Sequence, residues 1–442
     1  MRKYFSFLMC VVLALAMVLT GCGSSSDDSS SSTAGTTADT SAEKVNIKVS
    51  CWGIETDPNS LIIKDAVKRF NENNNVNATA TVEFTEQEQY KTKITAALAA
   101  NQAPDVFNTW ASGFLKPFVQ SGKILDLTDA LDNDTEWKGR YVNGILSPLS
   151  FDNKVYAVPL TQTVVCLFYN KEIFNKYGLK EPATYADLKN IITVLNKNGV
   201  TPFALGNKAP WVGAMYGELL ANRIGGSEPF NKVYDGSGTW NDPSFIKAGK
   251  IMNELVQMNA FPKGFNALDN DPSREMFVQG KAAMHVMGSW AIQQVENKDF
   301  PTYGKLDVCK FPSIEGGTGD ANNWLGQPDQ SFAISAKTKN KEAALAFIKT
   351  LSDAQTQTAL AEKGNLISTN TEVDQTKLDP MAVKVATLQK DMKELFIFYD
   401  VGLGAEIGNE FNNTIQAITT GKSPEEQFKK LQTFTEQSRA NN

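Results

Sequence analysis

From residue 45 to residue 51 apolar and polar positions alternate: Val45, Ile47, Val49 and Cys51 against Asn46, Lys48 and Ser50. A period of two predicts a strand with one buried face. It ends at Trp52-Gly53. Asp57-Pro58-Asn59-Ser60 then opens a segment whose apolar residues, Ile62, Ile63, Ala66, Val67 and Phe70, recur at helical spacing. Alternation returns at Ala78, Ala80, Val82 and Phe84. Strand, helix, strand is a βαβ unit, and loops beyond the carboxyl ends of such strands line ligand crevices. Trp52, Glu55 and Glu86 stand in those loops. A helix over residues 90–100 stops at Pro104, a strand follows over 105–107, and Trp110 falls just past it.

The pattern changes at residues 154–171, KVYAVPLTQTVVCLFYNK. Val155, Ala157 and Leu160 precede a second apolar run over 164–168, with Pro159 between them. Proline cannot donate to a sheet ladder, so Pro159 marks a strand end. The reading is one strand, a polar crossing at Thr161, Gln162 and Thr163, and a second strand. A hairpin within one sheet would read the same. An α/β segment lies on each side of the stretch, which favours a hinge between two lobes and a cleft beside it.

Beyond the hinge, Thr184 is placed to cap a helix carrying Leu188, Ile191, Ile192 and Leu195. Residues 203–205 form a short strand, with Trp211 in the loop after it. Trp240 begins a loop before a helix and reads as structural. Residues 282–286 form a strand and Met287-Gly288-Ser289-Trp290 follows, Trp290 opening the next helix. Gly316-Gly317-Thr318-Gly319 reads as a flexible loop; it lacks the Lys and Ser/Thr of a phosphate cradle. Residues 324–334 read as a second crossing, with Trp324 and Asp329 as candidates for the cleft border. Residues 341–360 are helical and return to the first lobe, 365–370 cross a third time, and the chain is helical from 381 to its end.

Composition bounds the function. The chain has 442 residues and a net charge of −6, which argues for more than one core and against a nucleic-acid partner. A single histidine, His285, leaves little room for histidine-based metal or acid–base chemistry. Cys51, Cys166 and Cys309 fall in three separate strands and read as small buried apolar residues. Arg2 and Lys3 precede an apolar run over 4–19, too short for a comfortable span, and then Leu19-Thr20-Gly21-Cys22. This resembles a bacterial lipobox, which makes 1–21 a signal peptide and Cys22 the lipidated first residue. The Ser/Thr-rich stretch over 22–44 has too little apolar content to fold and reads as a tether.

Several strings, in order and spacing, resemble the family 1 extracellular solute-binding proteins, the sugar-binding components of ABC importers related to maltodextrin-binding proteins. They are the first strand into Trp52, QAPDVFNTW, SGKILDLTD, YNKEIF with GLKEPATYADL, and GKAAMHVMGSW. The resemblance covers nearly all of the chain after Val45. It implies an α/β, two-lobed periplasmic-binding-protein-like fold of type II, the lobes joined by three hinge crossings. The expected lobes are 45–160 with 331–366, and 161–330 with 367–442. It further implies a non-enzymatic protein with no cofactor, and the lipobox with its tether implies anchoring on the outer face of a bacterial, Gram-positive-type membrane. Its partners would be a carbohydrate and the transmembrane permease. The resembled proteins place the GSW tryptophan, here Trp290, against a sugar ring, and use an aromatic near Trp211.

Sugar recognition needs flat apolar platforms and planar polar groups for hydroxyls. Trp52, Trp110, Trp211 and Trp290 offer the first; Glu55, Glu86, Gln162 and Asp329 offer the second. A glycoside hydrolase would share these features, with two carboxyls flanking one bond. A lipoprotein for another solute remains a third reading.

Overall fold

The computed structural model describes residues 44–363 and 367–441. The leader, Cys22, the tether up to residue 43 and part of the third crossing lie outside the described residues. Along the chain the first strands are β1 Val45–Trp52, β2 Ala78–Thr85, β3 Val106–Thr109, β4 Ser150–Phe151, β5 Lys154–Val155, β6 Ala157–Pro159 and β7 Thr161–Asn170. Then come β8 Thr201–Phe203, β9 Ala282–Gly288, β10 Leu306–Cys309, β11 Asn323–Pro328, β12 Ser331–Ile334, β13 Ile367–Ser368 and β14 Glu394–Phe396.

Two sheets make two lobes. The first has the order β2-β1-β3-β12-β6, the second β14-β11-β7-β9-β8, with β10 and β13 also on β7. The predicted βαβ unit is there: β1 and β2 are parallel around helix Pro58–Asn73, whose Ile62, Ile63, Ala66, Val67 and Phe70 are all buried. Thr184 caps helix Tyr185–Lys197 in a reciprocal capping box with Asp187, and the four expected apolar residues face the core. Helices Lys341–Leu351 and Ala354–Lys363 pack on the first lobe, where Phe70 meets Phe347 edge-on at 5.4 Å. They are two helices rather than one. Asp353 breaks the run, accepting Thr356 N–H at 2.7 Å and binding Arg69 of helix Pro58–Asn73 at 2.7 Å.

The hinge is narrower than the polar signal implied. Thr161, Gln162 and Thr163 are not a crossing loop; they begin β7, all ten residues of which are buried. Their backbones pair with Gln327 and Pro328 of β11 and with Ile367 and Ser368 of β13. The Gln162 amide is satisfied internally, donating to Ser368 O at 2.7 Å and accepting from Gln389 Nε2 at 3.3 Å. Thr161 and Gln162 sit in a central strand here because the neighbouring crossings supply their partners, Gln330 N–H and Ser368 O. The first crossing is therefore Leu160 alone, between Pro159 and Thr161, and the second is Asp329-Gln330, between β11 and β12.

Other expectations are corrected. Trp211 lies in the first turn of helix Pro210–Gly225, not in a loop. The chain is not helical throughout from residue 381: β14 intervenes and pairs in parallel with β11. The Gly316–Gly319 stretch is not loose, since Thr318 and Gly319 N–H donate to Ile224 O and Arg223 O at 2.9 and 3.3 Å, capping the end of helix Pro210–Gly225. Cys51, Cys166 and Cys309 are buried free thiols, as the sequence suggested, and burial pushes Cys166 up to about 12. Trp240 is fully buried, its indole N–H donating to Thr435 Oγ1 at 3.0 Å.

One glycine sets how closely β11 approaches the hinge strand. A Cβ on Gly326 would stand 2.2 Å from Thr163 O and 3.0 Å from Val164 Cα, both backbone atoms that cannot swing away. Gly326→Ala should therefore lower stability by about 1–3 kcal/mol. Gly139→Ala, where a Cβ meets nothing within 4 Å, should be near neutral by comparison. Urea midpoints of the two variants check this, and equal midpoints would contradict it.

Candidate functional site

Both sheets point the carboxyl ends of their parallel strands at the hinge. In the first, Trp52 ends β1, Glu86 follows β2, and Trp110 follows β3, whose Thr109 pairs with Ser331 at the second crossing. In the second, β9 runs antiparallel to β7, so its end, Gly288, pairs with Val165 near the start of β7. β8 is parallel to β9, and β14 to β11, so Trp211 and Phe398 leave their strands in the same direction. This is the geometry in which α/β sheets build ligand crevices.

Exposure sorts the seven tryptophans. Trp137, Trp240 and Trp324 are buried at 2%, 0% and 3%, whereas Trp52, Trp110, Trp211 and Trp290 each keep part of their surface open. The four form two groups. Trp52 and Trp110 lie nearly parallel, centroids 6.4 Å apart and planes within 11°, backed edge-on by Tyr90 and Phe114. Lys91 Nζ sits 5.3 Å from the Trp110 centroid, a cation over an aromatic face. Across the hinge Trp290 packs on Trp211 at 6.3 Å and on Phe398 at 6.2 Å. Its indole folds over Gly288, where a Cβ would stand 2.0 Å from the ring. Only glycine leaves that ring its place.

A short segment links the two groups. Phe398 contacts Trp290, and four residues on, Gly402 approaches the Trp110–Phe114 turn so closely that a Cβ on Gly113 would stand 2.9 Å from Gly402 O. Lys116 of the first lobe also lies over the Tyr234 ring of the second at 4.7 Å. The lobes thus meet both at the hinge and at this second place.

Polar groups without partners gather at the crossings. The Asp329 side chain makes no hydrogen bond or ion pair among the described residues; its N–H donates to Thr161 O at 2.9 Å. Loss of solvent pushes its carboxyl up to about 6. Thr163 Oγ1, Gln330 Oε1, Ser331 Oγ and the Trp52 indole N–H are buried without hydrogen-bond partners among the described residues. Buried polar atoms are normally paired, so a set of unpaired ones near the crossings is unusual.

The remaining candidates fall elsewhere. Glu55 is exposed and paired with Lys64 at 3.0 Å. Glu86 is exposed and accepts Gln89 N–H at 3.3 Å at the start of helix Gln87–Ala99. Gln162 is bonded inside the hinge, and Trp324 is buried within the second sheet. His285 is a buried strand residue, its Nδ1 donating to Ala204 O at 2.9 Å, and burial pushes it down to about 4. Phe398, Phe114, Gln330 and Ser331 were not singled out from sequence, and Thr163 was named only as part of the polar crossing. Phe398 sits in the segment misread as helix, although ELFIFYD carries a strand-like run of aromatics. The others carry no local signal. A separate cavity of about 240 Å³ lies beside the third crossing, lined by Val142, Ile367, Asn370, Ala382 and Gln389, away from the tryptophans.

The model of the bacterial extracellular solute-binding protein family matches residues 53–358, well over half of the chain. The chain belongs to that family. Among curated relatives, this solute-binding protein is 29% identical over 205 residues to an uncharacterized ABC transporter extracellular-binding protein of Pyrococcus horikoshii, covering 46% of this chain and 45% of that one. It is 27% identical over 274 residues to the multiple sugar-binding protein of Streptococcus mutans, covering 60% and 62%. The matches thus span about half to three fifths of those relatives. A chain solved in work on xylan utilization by the thermophilic bacterium Caldanaerobius polysaccharolyticus is 30% identical, with a TM-score of 0.70 over 88% of this chain and 99% of that one.

The position of Asp329 has a thermodynamic signature. Its folded-state pKa is raised, so between about pH 4 and pH 6 the folded chain keeps a proton that the unfolded chain has lost. Wild-type stability should therefore fall across that window, with the full cost present above it. Asp329→Asn removes the titration. It should raise the Tm at about pH 7.5 and leave it unchanged at about pH 3.5. Thermal scans at both pH values decide, and equal shifts would refute the assignment.

Proposed function

We propose that this solute-binding protein captures an oligosaccharide between its lobes and delivers it, closed, to an ABC-importer permease. The observation that carries the reading is the sorting of the tryptophans: four part-open rings, two per lobe, three at or just past strand ends and Trp211 in a helix's first turn packed on Trp290. Indole faces suit the apolar faces of pyranose rings, and partnerless hydrogen-bonding groups suit their hydroxyls. The proposed contact set is Trp52, Trp110, Trp211 and Trp290 with Asp329, and Glu55 and Glu86 at the rim. Gln162 and Trp324 drop out of it because their surfaces are already used. Residues 45–160 with 331–366 would move as one body, and 161–330 with 367–442 as the other. Closure selected by ligand contacts to both lobes gives the permease a shape to read.

Cys22 in its lipobox would be the lipidated amino terminus, and the stretch behind it a tether to the outer face of the membrane. The chain would bind without turnover. Among the described residues no helix is long and apolar enough to cross a membrane.

Calorimetry with xylo-, malto-, fructo-, galacto- and manno-oligosaccharides tests the reading, the xylo-series first because of the 30% identical structure. At least one should bind, and Trp110→Ala and Trp290→Ala should each weaken it by about tenfold or more. Silence across the panel would reject carbohydrate capture, and release of phenol from an aryl glycoside would reject binding without turnover. Mass spectrometry of the mature protein should find a diacylglyceryl-modified Cys22 at its start; a chain beginning at Met1 would end the lipoprotein reading.

A further inference from the structure

Helix Pro210–Gly225 serves the site twice. Its first turn carries Trp211, which packs on Trp290. Two turns on, Glu218 is 1% exposed. Its Oε1 accepts the backbone N–H of Tyr399 at 3.0 Å, and its Oε2 has no hydrogen-bond partner among the described residues. The peptide so held is the one joining Tyr399 to Phe398, the ring that packs on Trp290. One buried carboxyl therefore fixes the backbone that presents Phe398 to the site.

Among the described residues, none gives Glu218 a cation. Asp400, the residue after Tyr399, adds repulsion to the burial, and together they raise the Glu218 carboxyl well above the usual range. Asp400 is itself bonded by Asn412 Nδ2 at 3.0 Å from helix Ala405–Thr419. The nearby Tyr399 phenol is also raised by burial. Several other titratable groups on the packed elements are engaged elsewhere. Glu394 of β14 accepts from Ser227 and Asn323, Glu254 of helix Pro243–Gln257 from Tyr185 and Lys189, and Glu406 of helix Ala405–Thr419 from Ser438. His285 of β9 bonds Ala204, and Arg223 on the same helix as Glu218 bonds Asn222 and Ala321.

We propose that Glu218 is a positioning residue for the cleft, fixing the Tyr399 amide and through it the Phe398 ring against Trp290. The role rests on the carbohydrate reading above and names the residue that keeps one wall of the cleft in register. The acceptor oxygen serves in either protonation state, and the neutral one is favoured because an isolated buried carboxylate beside Asp400 is unfavourable.

Two variants and a sugar-independent readout test it. Glu218→Gln keeps a carbonyl acceptor and has no charge to bury. It should bind xylotriose, or the tighter-binding panel member, within about twofold of wild type. Its Tm should exceed that of wild type by a margin that widens as pH rises above about 4.5, because the unfolded wild-type chain loses the Glu218 proton there while the folded chain, its carboxyl raised by burial, still holds it. Glu218→Ala removes the acceptor. It should weaken the same sugar by about tenfold or more and speed hydrogen exchange at the Tyr399 amide in the ligand-free protein. Unchanged exchange and affinity in Glu218→Ala, or a Gln variant as impaired as the Ala variant, would overturn the role. Should wild type bind no sugar, the carbohydrate reading fails, while the exchange and pH measurements still decide whether Glu218 holds this segment.

Discussion

The three crossings are tied to one another at Leu160, and the rest of the molecule is arranged around that knot. Leu160 N–H donates to Gln330 O at 2.5 Å, joining the first crossing to the second. Leu160 O accepts from Gln357 Nε2 at 2.8 Å, and Thr369 Oγ1 donates to Pro159 O at 3.1 Å, joining the third. Asp329 N–H reaches Thr161 O at 2.9 Å. A single-residue crossing leaves no slack, so motion between lobes is confined to a few backbone torsions. Such confinement is what separates a hinge from a flexible linker.

That knot also decides where chemistry can sit. β7 starts at the knot and runs away from it, and its antiparallel neighbours β9 and β11 run back towards it. β14, parallel to β11, ends near the knot, its Phe396 level with Leu325, whereas β8 stops short, its Phe203 level with Met284 and so with Tyr169 at the far end of β7. The first sheet delivers Trp52 and Trp110 to the same region because Thr109 is paired with Ser331, the residue that follows the second crossing. Residues far apart in sequence are thus brought towards the same hinge by register.

Asp329 and Glu218 are two buried or half-buried carboxyls with opposite assignments. Asp329 stands at a crossing with its polar atoms unclaimed, which suits a group waiting for a ligand hydroxyl. Glu218 is closed in, with one oxygen committed to a backbone amide. Both are shifted upward by loss of solvent, yet only geometry tells one role from the other. A shifted pKa marks a candidate; the partner list assigns it.

The sequence by itself determined the βαβ start, the faces of helices Pro58–Asn73 and Tyr185–Lys197, the Pro159 strand end and the burial of three separated cysteines. These follow from period, capping and chain geometry, which are local. It also offered all four part-open tryptophans, because each follows a legible strand or turn. Only the tertiary structure decided which tryptophans stay open: Trp324 and Trp52 both sit at strands, but neighbours cover one and not the other. The same holds for Gln162, whose partners Ser368 and Gln389 lie more than two hundred residues away in sequence. β14 was read as helix despite its strand-like aromatics, since three residues carry too little period to decide and the strand exists because β11 is there to pair with it.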